Sequence, residues 1–265
     1  MNLLKKILFL ALLPAISSFA DMQVRPSIDE ATTNSAQWNG FKKTNFKVGN
    51  CAAFIVEPET PRKDKAWVLR PAWWGAFANA DHELLKQGFY VAFVDMSYTG
   101  ASEEAMKILD KMYDVCTKKY GLSKKATLEG LSRGGLSSLM WANRSPQKLA
   151  CVYVDNPVCD VMTISPNFIE EIRKEWGLEN MQNFKGSPVH NYKKLAKSKV
   201  PVLFIAGLLD ETVPNATNAK PYVEAFKKAK GSIKYVEKPD GKHHPHGLQN
   251  PALIVDFIKS AYDKI

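Results

Sequence analysis

The sequence lacks the features that would divide a chain or hold it in a membrane. Its 265 residues contain no internal repeat, low-complexity tract or linker, which favours a single globular domain. Beyond the N-terminus, no segment approaches the run of about 20 apolar residues that a membrane-spanning helix needs. With 45% hydrophobic and 24% charged residues, the chain has the composition of a protein with a sizeable core.

The sequence also has no long basic run. Its formal net charge is +9, from 36 basic and 27 acidic residues, but the lysines are spread along the chain. Such a distribution is typical of a solvated surface, because nucleic-acid-binding proteins gather their basic residues in a patch or stripe. We therefore predict no nucleic-acid partner.

Cysteine is scarce. The four cysteines, Cys51, Cys116, Cys151 and Cys159, fit no zinc-binding spacing, and no cofactor is predicted. Four cysteines allow three complete disulfide pairings, among which the sequence does not choose. Because the first three lie in apolar strand or helix contexts, we prefer buried thiols to disulfides.

The N-terminus has the pattern of a secretory signal peptide over residues 1–20. A short basic region precedes an apolar stretch at residues 7–16, and residues 18–20 place small side chains at the cleavage positions. We predict cleavage near Ala20, which leaves a catalytic domain over residues 21–265. We expect this domain to be exported to a periplasm or to the extracellular space, without membrane attachment.

The rest of the chain alternates strands with helices. An irregular lead-in over residues 21–50 contains at most an edge strand near residues 41–48. Beyond it, the apolar run at residues 89–95 indicates a strand buried on both faces of a sheet, and residues 102–119 show the periodicity of an amphipathic helix. Continued alternation predicts an α/β fold with a mostly parallel central sheet and helices on both faces.

Residues 163–198 interrupt this alternation. Helical patterns near residues 167–176 and 189–197 flank a polar segment with no clear strand between them. We predict that the segment forms a small cap insertion over a pocket.

A serine lies between glycines at the junction of a predicted strand and a predicted helix, in Gly130-Leu131-Ser132-Arg133-Gly134. In the pattern Gly-x-Ser-x-Gly, the glycines allow a sharp turn and let the helix pack closely on the strand. The serine hydroxyl then projects from a strained elbow. Ser132 is therefore the predicted nucleophile.

Two later loops carry side chains that could serve such a nucleophile. A predicted strand ends at Gly207 and delivers Asp210 into a loop, where a carboxylate could orient an imidazole. The second loop holds three histidines, His243, His244 and His246. The cluster could instead bind a metal ion, but its spacing suggests unfavourable ring directions, and no nearby carboxylate or cysteine pattern completes a site. No resident metal is predicted.

The motif order Ser, Asp, His resembles the α/β-hydrolase superfamily, and the likeness covers nearly the whole chain after residue 20. It is closest to the compact bacterial hydrolases grouped with dienelactone-hydrolase and prolyl-oligopeptidase catalytic domains. Their endings are similar to Gly207-x-x-Asp210 and Gly241-x-His243. The resemblance implies an α/β-hydrolase fold, with Ser132 as nucleophile, Asp210 as acid and His243 as general base.

Alternatives to two of these roles stay open. His244 and His246 remain candidate bases, because the superfamily usually has a single histidine at this place. Some relatives resemble an arrangement in which the acid follows the next strand after the elbow. Asp155 and Asp160 are therefore rival acids.

The implied chemistry is acyl transfer, which needs N–H donors for the negative oxygen of the intermediate. One donor is the backbone N–H of Arg133, next to the nucleophile. A second is expected from the loop after an early strand, from Trp74, Gly75 or Ala76. The Arg133 side chain is expected either to bind substrate or to pair with Glu129 or another acid.

The substrate class rests on the aromatic residues of the loops. Trp73, Trp74, Phe77 and Tyr98 could form a wall that stacks a sugar ring or holds an apolar acyl group, although aromatic residues also pack as ordinary core. We predict an exported serine hydrolase that cleaves a small-molecule or carbohydrate carboxylic ester. The alternatives are a serine peptidase of the prolyl-oligopeptidase type and a non-catalytic binding protein on the same fold.

Overall fold

A computed structural model describes residues 34–265, so the predicted signal peptide lies outside the described residues. In this part of the chain, nine strands form one sheet in the order β1-β2-β3-β5-β4-β6-β7-β8-β9. The strands are β1 (Asn34–Trp38), β2 (Phe41–Val48), β3 (Cys51–Val56), β4 (Trp67–Arg70), β5 (Tyr90–Val94), β6 (Ala126–Leu131), β7 (Leu149–Asp155), β8 (Val202–Gly207) and β9 (Ile233–Lys238).

The sheet is parallel from β5 to its β9 edge. The first three strands form an antiparallel extension, and β3 pairs antiparallel with β5. Strands β6, β7 and β8 are buried along their whole length, as expected of parallel strands covered on both faces. The predicted mostly parallel α/β sheet is confirmed.

Helices cover both faces of the sheet. Adjacent residues of β8 belong to two separate apolar clusters. Phe204 belongs to a cluster that includes side chains of α2, α3, α5 and α6, whereas Ile205 belongs to one that includes side chains of α1 and α7. No helix within residues 34–265 has the length and apolar character to cross a membrane. The helices are α1 (Asn79–Lys86), α2 (Glu103–Asp114), α3 (Arg133–Arg144), α4 (Pro166–Glu175), α5 (Lys193–Ser198), α6 (Ala219–Lys228) and α7 (Ala252–Tyr262).

Local sequence explains where two of the helices begin. The hydroxyl of Ser102 accepts a hydrogen bond from the N–H of Ala105 and caps α2, whose first turn also carries two glutamates. Ser165 caps α4 in the same way, and Pro166 occupies the first helical position.

Two elements differ from the sequence-based expectation. Strand β1 pairs with β2 within the predicted irregular lead-in. Its sequence, Asn-Ser-Ala-Gln-Trp, is mostly exposed and polar, so it lacks the apolar alternation that marks a strand. The predicted helix 102–119 is α-helical only to Asp114 and continues as a π-helical turn, Val115–Lys119.

The segment 163–198 contains two helices with different surroundings. Helix α5 packs beside α3, where the N–H of Leu195 donates to the side chain of Asn143. Helix α4 instead lies against the loop that follows β5: Glu175 accepts a hydrogen bond from the N–H of Gly100, and the indole of Trp176 donates to the carbonyl of Gly100 at 3.0 Å. That this segment acts as a cap over bound substrate stays a prediction.

Helix α7 is joined to the centre of the sheet through Tyr262. Its buried phenol oxygen accepts a hydrogen bond from the N–H of Trp67 at 3.2 Å, and lies 2.8 Å and 2.7 Å from the carbonyl oxygens of Trp67 and Lys125. The side chain of Tyr262 is thus hydrogen-bonded to backbone groups of β4 and of Lys125, the residue that precedes β6.

Candidate active site

Ser132 lies on a strained elbow between β6 and α3. Its φ of 52° and ψ of −121° fall in a region that residues with a side chain rarely adopt. Two hydrogen bonds hold the elbow: the N–H of Ser132 donates to the carbonyl of Asp155 at 3.1 Å, and the N–H of Val158 donates to the carbonyl of Ser132 at 3.1 Å. Both partners belong to β7 or to the loop after it.

The glycines of the motif are required by close packing. A β-carbon on Gly130 would lie 2.6 Å from the hydroxyl of Ser138, and one on Gly134 would lie 3.0 Å from the β-carbon of Ala72. A third glycine, Gly135, is still more crowded, because its added β-carbon would lie 2.3 Å from that of Pro157. Helix α3 can therefore begin directly beneath the elbow.

Ser132, His243 and Asp210 lie together in hydrogen-bonded series. Nε2 of His243 is 2.9 Å from Oγ of Ser132, and Nδ1 of His243 is 2.7 Å from Oδ2 of Asp210. The other carboxylate oxygen of Asp210 accepts hydrogen bonds from the N–H groups of Thr212 and Val213 at 2.9 and 2.8 Å. His243 is 8% and Asp210 is 5% exposed, so water competes little with these bonds.

Asn156 holds the acid loop and the histidine loop together. Its side-chain amide donates to the carbonyls of Lys242 and His243 at 3.0 and 3.1 Å, and its oxygen accepts from the N–H of Gly207 at 2.7 Å. Where these loops meet, a β-carbon on Gly207 would lie 2.4 Å from the carbonyl oxygen of Gly241. Asn156 was not recognised from the sequence, where it appears only as a polar residue after a strand.

The rival acids have other partners. Asp155 is fully buried and accepts a hydrogen bond from Nδ1 of His246 at 2.8 Å, with Lys238 Nζ at 3.3 Å. Asp160 caps a short 3₁₀ turn by accepting from the N–H of Met162 at 3.0 Å. Among these carboxylates it is Asp210 that bonds to His243.

The two rival bases, His244 and His246, have other contacts, whereas it is His243 that is hydrogen-bonded to Ser132. His246 is buried against Asp155. His244 is exposed and stacks on Phe77 with ring centroids 5.5 Å apart. Partial burial, followed by the neighbouring His246 and His243, lowers the pKa of His244.

The loop after β4, predicted to supply an oxyanion donor, is anchored by Arg70. The guanidinium donates to the carbonyls of Trp73 and Ala76 at 3.2 and 2.9 Å. Of the three candidate donors in this loop, the N–H of Ala76 is bonded to the carbonyl of Trp73 at 3.1 Å. Trp74 and Gly75 remain as the candidates for the second donor, beside the N–H of Arg133.

Arg70 belongs to a buried cluster with Asp81 and Glu129. Its guanidinium forms a very short ion pair with Asp81 and lies 3.7 Å from Oε1 of Glu129. Burial, followed by the charge of Asp81, raises the pKa of Glu129 to about 8. Glu129 lies three residues before Ser132, so the same cluster supports the elbow strand and the loop after β4.

The side chain of Arg133 pairs with an acid that the sequence did not single out. It forms a short ion pair with Glu171 on α4 and lies over the ring of Phe168, 4.3 Å from its centroid. The expected alternative partner, Glu129, faces Arg70 instead. Arg133 therefore ties α4 to the start of α3.

The four loop aromatics do not form one wall. Trp74 packs with Trp38, Phe54 and Phe93 against the antiparallel strands. Trp73 meets Tyr98 edge to face at 6.0 Å, whereas Phe77 contacts the histidine loop.

Two cavities adjoin these residues. A groove of about 540 Å³ between α2 and α4 is lined by Tyr98, Ser102 and Glu171, among others. A second cavity of about 400 Å³ lies behind the histidine loop and includes Glu129 and His246 in its lining.

The sheet, the elbow and the hydrogen-bonded series define the class of the protein, a serine hydrolase of the α/β-hydrolase fold. The sequence matches the prolyl oligopeptidase family (Peptidase S9) over residues 80–263. The chain therefore belongs to this family. No curated protein matches the sequence.

Solved structures share the fold. Porphyromonas gingivalis dipeptidyl peptidase 4 matches with a TM-score of 0.65 at 18% identity, over 86% of this chain and 36% of that chain. Pyrococcus horikoshii acylaminoacyl peptidase matches with a TM-score of 0.59 at 16% identity, over 80% and 38%. A proposed carboxylesterase of Lactobacillus plantarum WCFS1 matches with a TM-score of 0.62 at 12% identity, over 87% and 97%.

These likenesses show the fold alone, because the identities are low. The chain spans little more than a third of the length of the two peptidases, but it matches nearly the whole length of the esterase.

Proposed function

We propose that this chain is an exported carboxylic-ester hydrolase that works through an acyl-enzyme. The observation that carries the proposal is the hydrogen-bonded series from Asp210 through His243 to Ser132. His243 takes the hydroxyl proton through Nε2 as Oγ of Ser132 attacks the ester carbonyl, and it returns the proton to the departing alcohol. Asp210 fixes the tautomer of His243 and stabilises the imidazolium. Water then releases the acyl group by the same route.

The negative oxygen of each tetrahedral intermediate is stabilised by two backbone donors. We assign one to the N–H of Arg133 and the other to the N–H of Trp74 or Gly75. The bonds from Arg70 to the carbonyls of Trp73 and Ala76 support this assignment, since they hold the loop in place before substrate arrives.

An ester is the preferred substrate class for two reasons. The chain matches a proposed carboxylesterase over nearly that protein's full length, and an alcohol leaves more readily than an amine. Exposed aromatic rings support a sugar or an apolar acyl group as the bound part: Tyr98 is 53% exposed and lines the groove between α2 and α4. A peptidase is the second candidate, favoured by the family match.

Hydrolysis of short-chain aryl esters, acetylated or methyl-esterified polysaccharides and peptides tests the proposal. We expect ester hydrolysis by the wild type, and a loss of about 10³-fold or more in kcat for Ser132→Ala and His243→Ala. A fluorophosphonate probe should label Ser132 in the wild type and leave Ser132→Ala unlabelled. His190→Ala, a change at an exposed histidine, is the matched control and should retain activity.

Each of the other outcomes would assign a different function to the chain. Cleavage of peptides without esters would replace the ester proposal by the peptidase. Failure on every substrate, with ligand binding that survives Ser132→Ala, would identify a binding protein on the same fold.

Export is proposed from the N-terminal sequence pattern. N-terminal sequencing of the protein recovered from culture medium and periplasmic extract should begin near Asp21. Full-length chain found only in the cytoplasm would overturn this part of the proposal.

A further inference from the structure

Three imidazoles converge in the histidine loop. The ring centroids of His243, His244 and His246 are 4.8 to 4.9 Å apart. Each ring offers one nitrogen, and these nitrogens lie within 4.8 Å of one another. The spacing of the three histidines suggests unfavourable ring directions, and the rings are steeply inclined to one another, at 68° to 88°. The fold of the loop nevertheless brings one nitrogen of each ring within reach of a shared ion.

Two of the three rings are backed by a buried carboxylate. Asp210 bonds to Nδ1 of His243 at 2.7 Å, and Asp155 bonds to Nδ1 of His246 at 2.8 Å. Each bond places the ring hydrogen on Nδ1 and leaves Nε2 as the nitrogen with a lone pair. Histidines that bind zinc commonly have such a carboxylate behind them, since it fixes the ring orientation and raises the basicity of the ligand.

From this arrangement, we propose that His243, His244 and His246 form a reversible inhibitory site for a divalent metal ion with the preferences of zinc. Imidazole nitrogens suit Zn²⁺, Cu²⁺ and Ni²⁺, whereas Mg²⁺ and Ca²⁺ prefer oxygen ligands. The hydroxyl of Ser132, 2.9 Å from Nε2 of His243, is placed to serve as the fourth ligand.

The site needs a small contraction to hold the ion. Zn–N bonds of about 2.0–2.1 Å in tetrahedral geometry put neighbouring nitrogens roughly 3.4 Å apart. Because the nitrogens lie up to 4.8 Å apart, they must approach one another by up to about 1.4 Å. His244 can supply this movement, because it is exposed and is held by stacking on Phe77 rather than by a buried carboxylate.

Binding would block hydrolysis directly. A metal ion on Nε2 of His243 occupies the lone pair that must accept the proton of Ser132. This inhibition rests on the proposed hydrolase function, but the metal binding does not. The two are therefore measured separately.

Metal binding is measured on the wild-type protein with any affinity tag removed, by calorimetric titration with Zn²⁺ in the absence of substrate. One ion per chain is expected. His244→Ala in the same background should weaken binding at least about tenfold, whereas His190→Ala should not change it. Absence of binding, or equal affinity with and without His244, would overturn the site whatever the enzyme does.

Inhibition is measured with a substrate that the wild type hydrolyses. Zn²⁺ should inhibit, a chelator should restore the rate, and Mg²⁺ should have no effect. In His244→Ala, the Zn²⁺ concentration that halves that variant's own rate should rise at least about tenfold, while His190→Ala should match the wild type. The same Zn²⁺ sensitivity in His244→Ala and wild type would refute the proposed inhibition.

Discussion

At the scale of single residues, the acid and the histidine of the candidate triad are each fixed by hydrogen bonds to groups outside the triad. Asp210 accepts two backbone hydrogen bonds on the oxygen that does not face His243, and the carbonyl of His243 is fixed by Asn156. Groups held in this way need little reorganisation during reaction, which is how preorganised sites lower a barrier.

A substitution can separate the predicted catalytic role of Asp210 from its contribution to the stability of the fold. Asp210→Asn should lower kcat by about 10³- to 10⁴-fold, since an amide cannot stabilise the imidazolium as a carboxylate does. The melting temperature should change little, because the amide oxygen can still accept from the N–H groups of Thr212 and Val213. Asp160→Asn is the matched control and should remain active. Equal loss in both variants would argue against Asp210 as the acid.

Glu129 should make stability depend on pH. Its pKa is about 8 in the folded protein against an ordinary 4.5, so between these values the folded state keeps a proton that the unfolded state has lost. The free energy of unfolding should therefore fall as pH rises from about 4.5 to about 8. The contribution of Glu129 is on the order of a few kcal/mol.

The Glu129 prediction is checked by urea unfolding at pH 5 and pH 8. Glu129→Gln, which stays neutral throughout, should reduce the loss of stability between these two pH values. Glu224→Gln, at an exposed position on α6, should show the wild-type loss. A Glu129→Gln protein with an unchanged pH dependence would contradict the prediction.

The sequence predicts only those residues of the site that belong to a recognisable motif. Ser132, Asp210 and His243 stand in an order and spacing typical of a superfamily, and they are the residues that lie together, although their catalytic roles stay predictions. Asn156 and Arg70 have no such pattern. Asn156 bonds to the carbonyl of His243, 87 residues later, and Arg70 is buried in a cluster with Asp81 and Glu129. These contacts depend on the fold and leave no pattern in the neighbouring sequence.

At the scale of elements, the start of α3 is packed without spare room. Gly135→Ala should destabilise the protein by about 1–3 kcal/mol, because its β-carbon would lie 2.3 Å from that of Pro157. Gly134→Ala, one residue earlier in the same helix, meets Ala72 at 3.0 Å and should cost less. The urea midpoints of the two variants show which substitution destabilises the protein more. The reverse order would show that α3 moves easily at Gly135.

Helix α4 depends on contacts with the loop that precedes α2. Glu175→Ala removes the acceptor of hydrogen bonds from the N–H groups of Gly100 and Ser102, and should lower the free energy of unfolding by about 1–2 kcal/mol. Limited proteolysis should then cut residues 176–192 faster. Glu224→Ala on α6 should leave the cleavage rate unchanged. Unchanged cleavage in Glu175→Ala as well would mean that other contacts hold α4.

Buried strands are the elements that the sequence predicts best. Strands β7 and β8 are short, mostly apolar runs rich in β-branched and aromatic residues, and this length and composition favour a buried strand over a helix. Strand β1 carries no such signal. It is held by hydrogen bonds to the backbone of β2, which any sequence without proline can form, so only the paired structure reveals it.

At the scale of the whole molecule, the described chain folds without disulfides. All four cysteines lie within residues 34–265, and none is paired to another. Cys116, Cys151 and Cys159 are fully buried, and burial raises the pKa of each thiol, that of Cys151 to about 12. The preference for buried thiols over disulfides agrees with this arrangement.

Titration of the thiols in solution tests whether the four cysteines are reduced or form a disulfide. Native protein should react with an aromatic disulfide reagent at no more than one thiol within minutes, because Cys51 alone is half-buried, and at four thiols once unfolded without reductant. Cys51→Ser should abolish the fast reaction. Recovery of only two thiols after unfolding would demonstrate a disulfide in the protein.

The phenol of Tyr262 has a consequence for the order in which the molecule is made. Strand β4, which ends at Arg70, is hydrogen-bonded to a residue that a ribosome adds 195 positions after Trp67. The nascent chain can pair its early strands as they emerge. The centre of the sheet stays incomplete until α7 is in place, so hydrolytic activity should appear only after this last helix has docked.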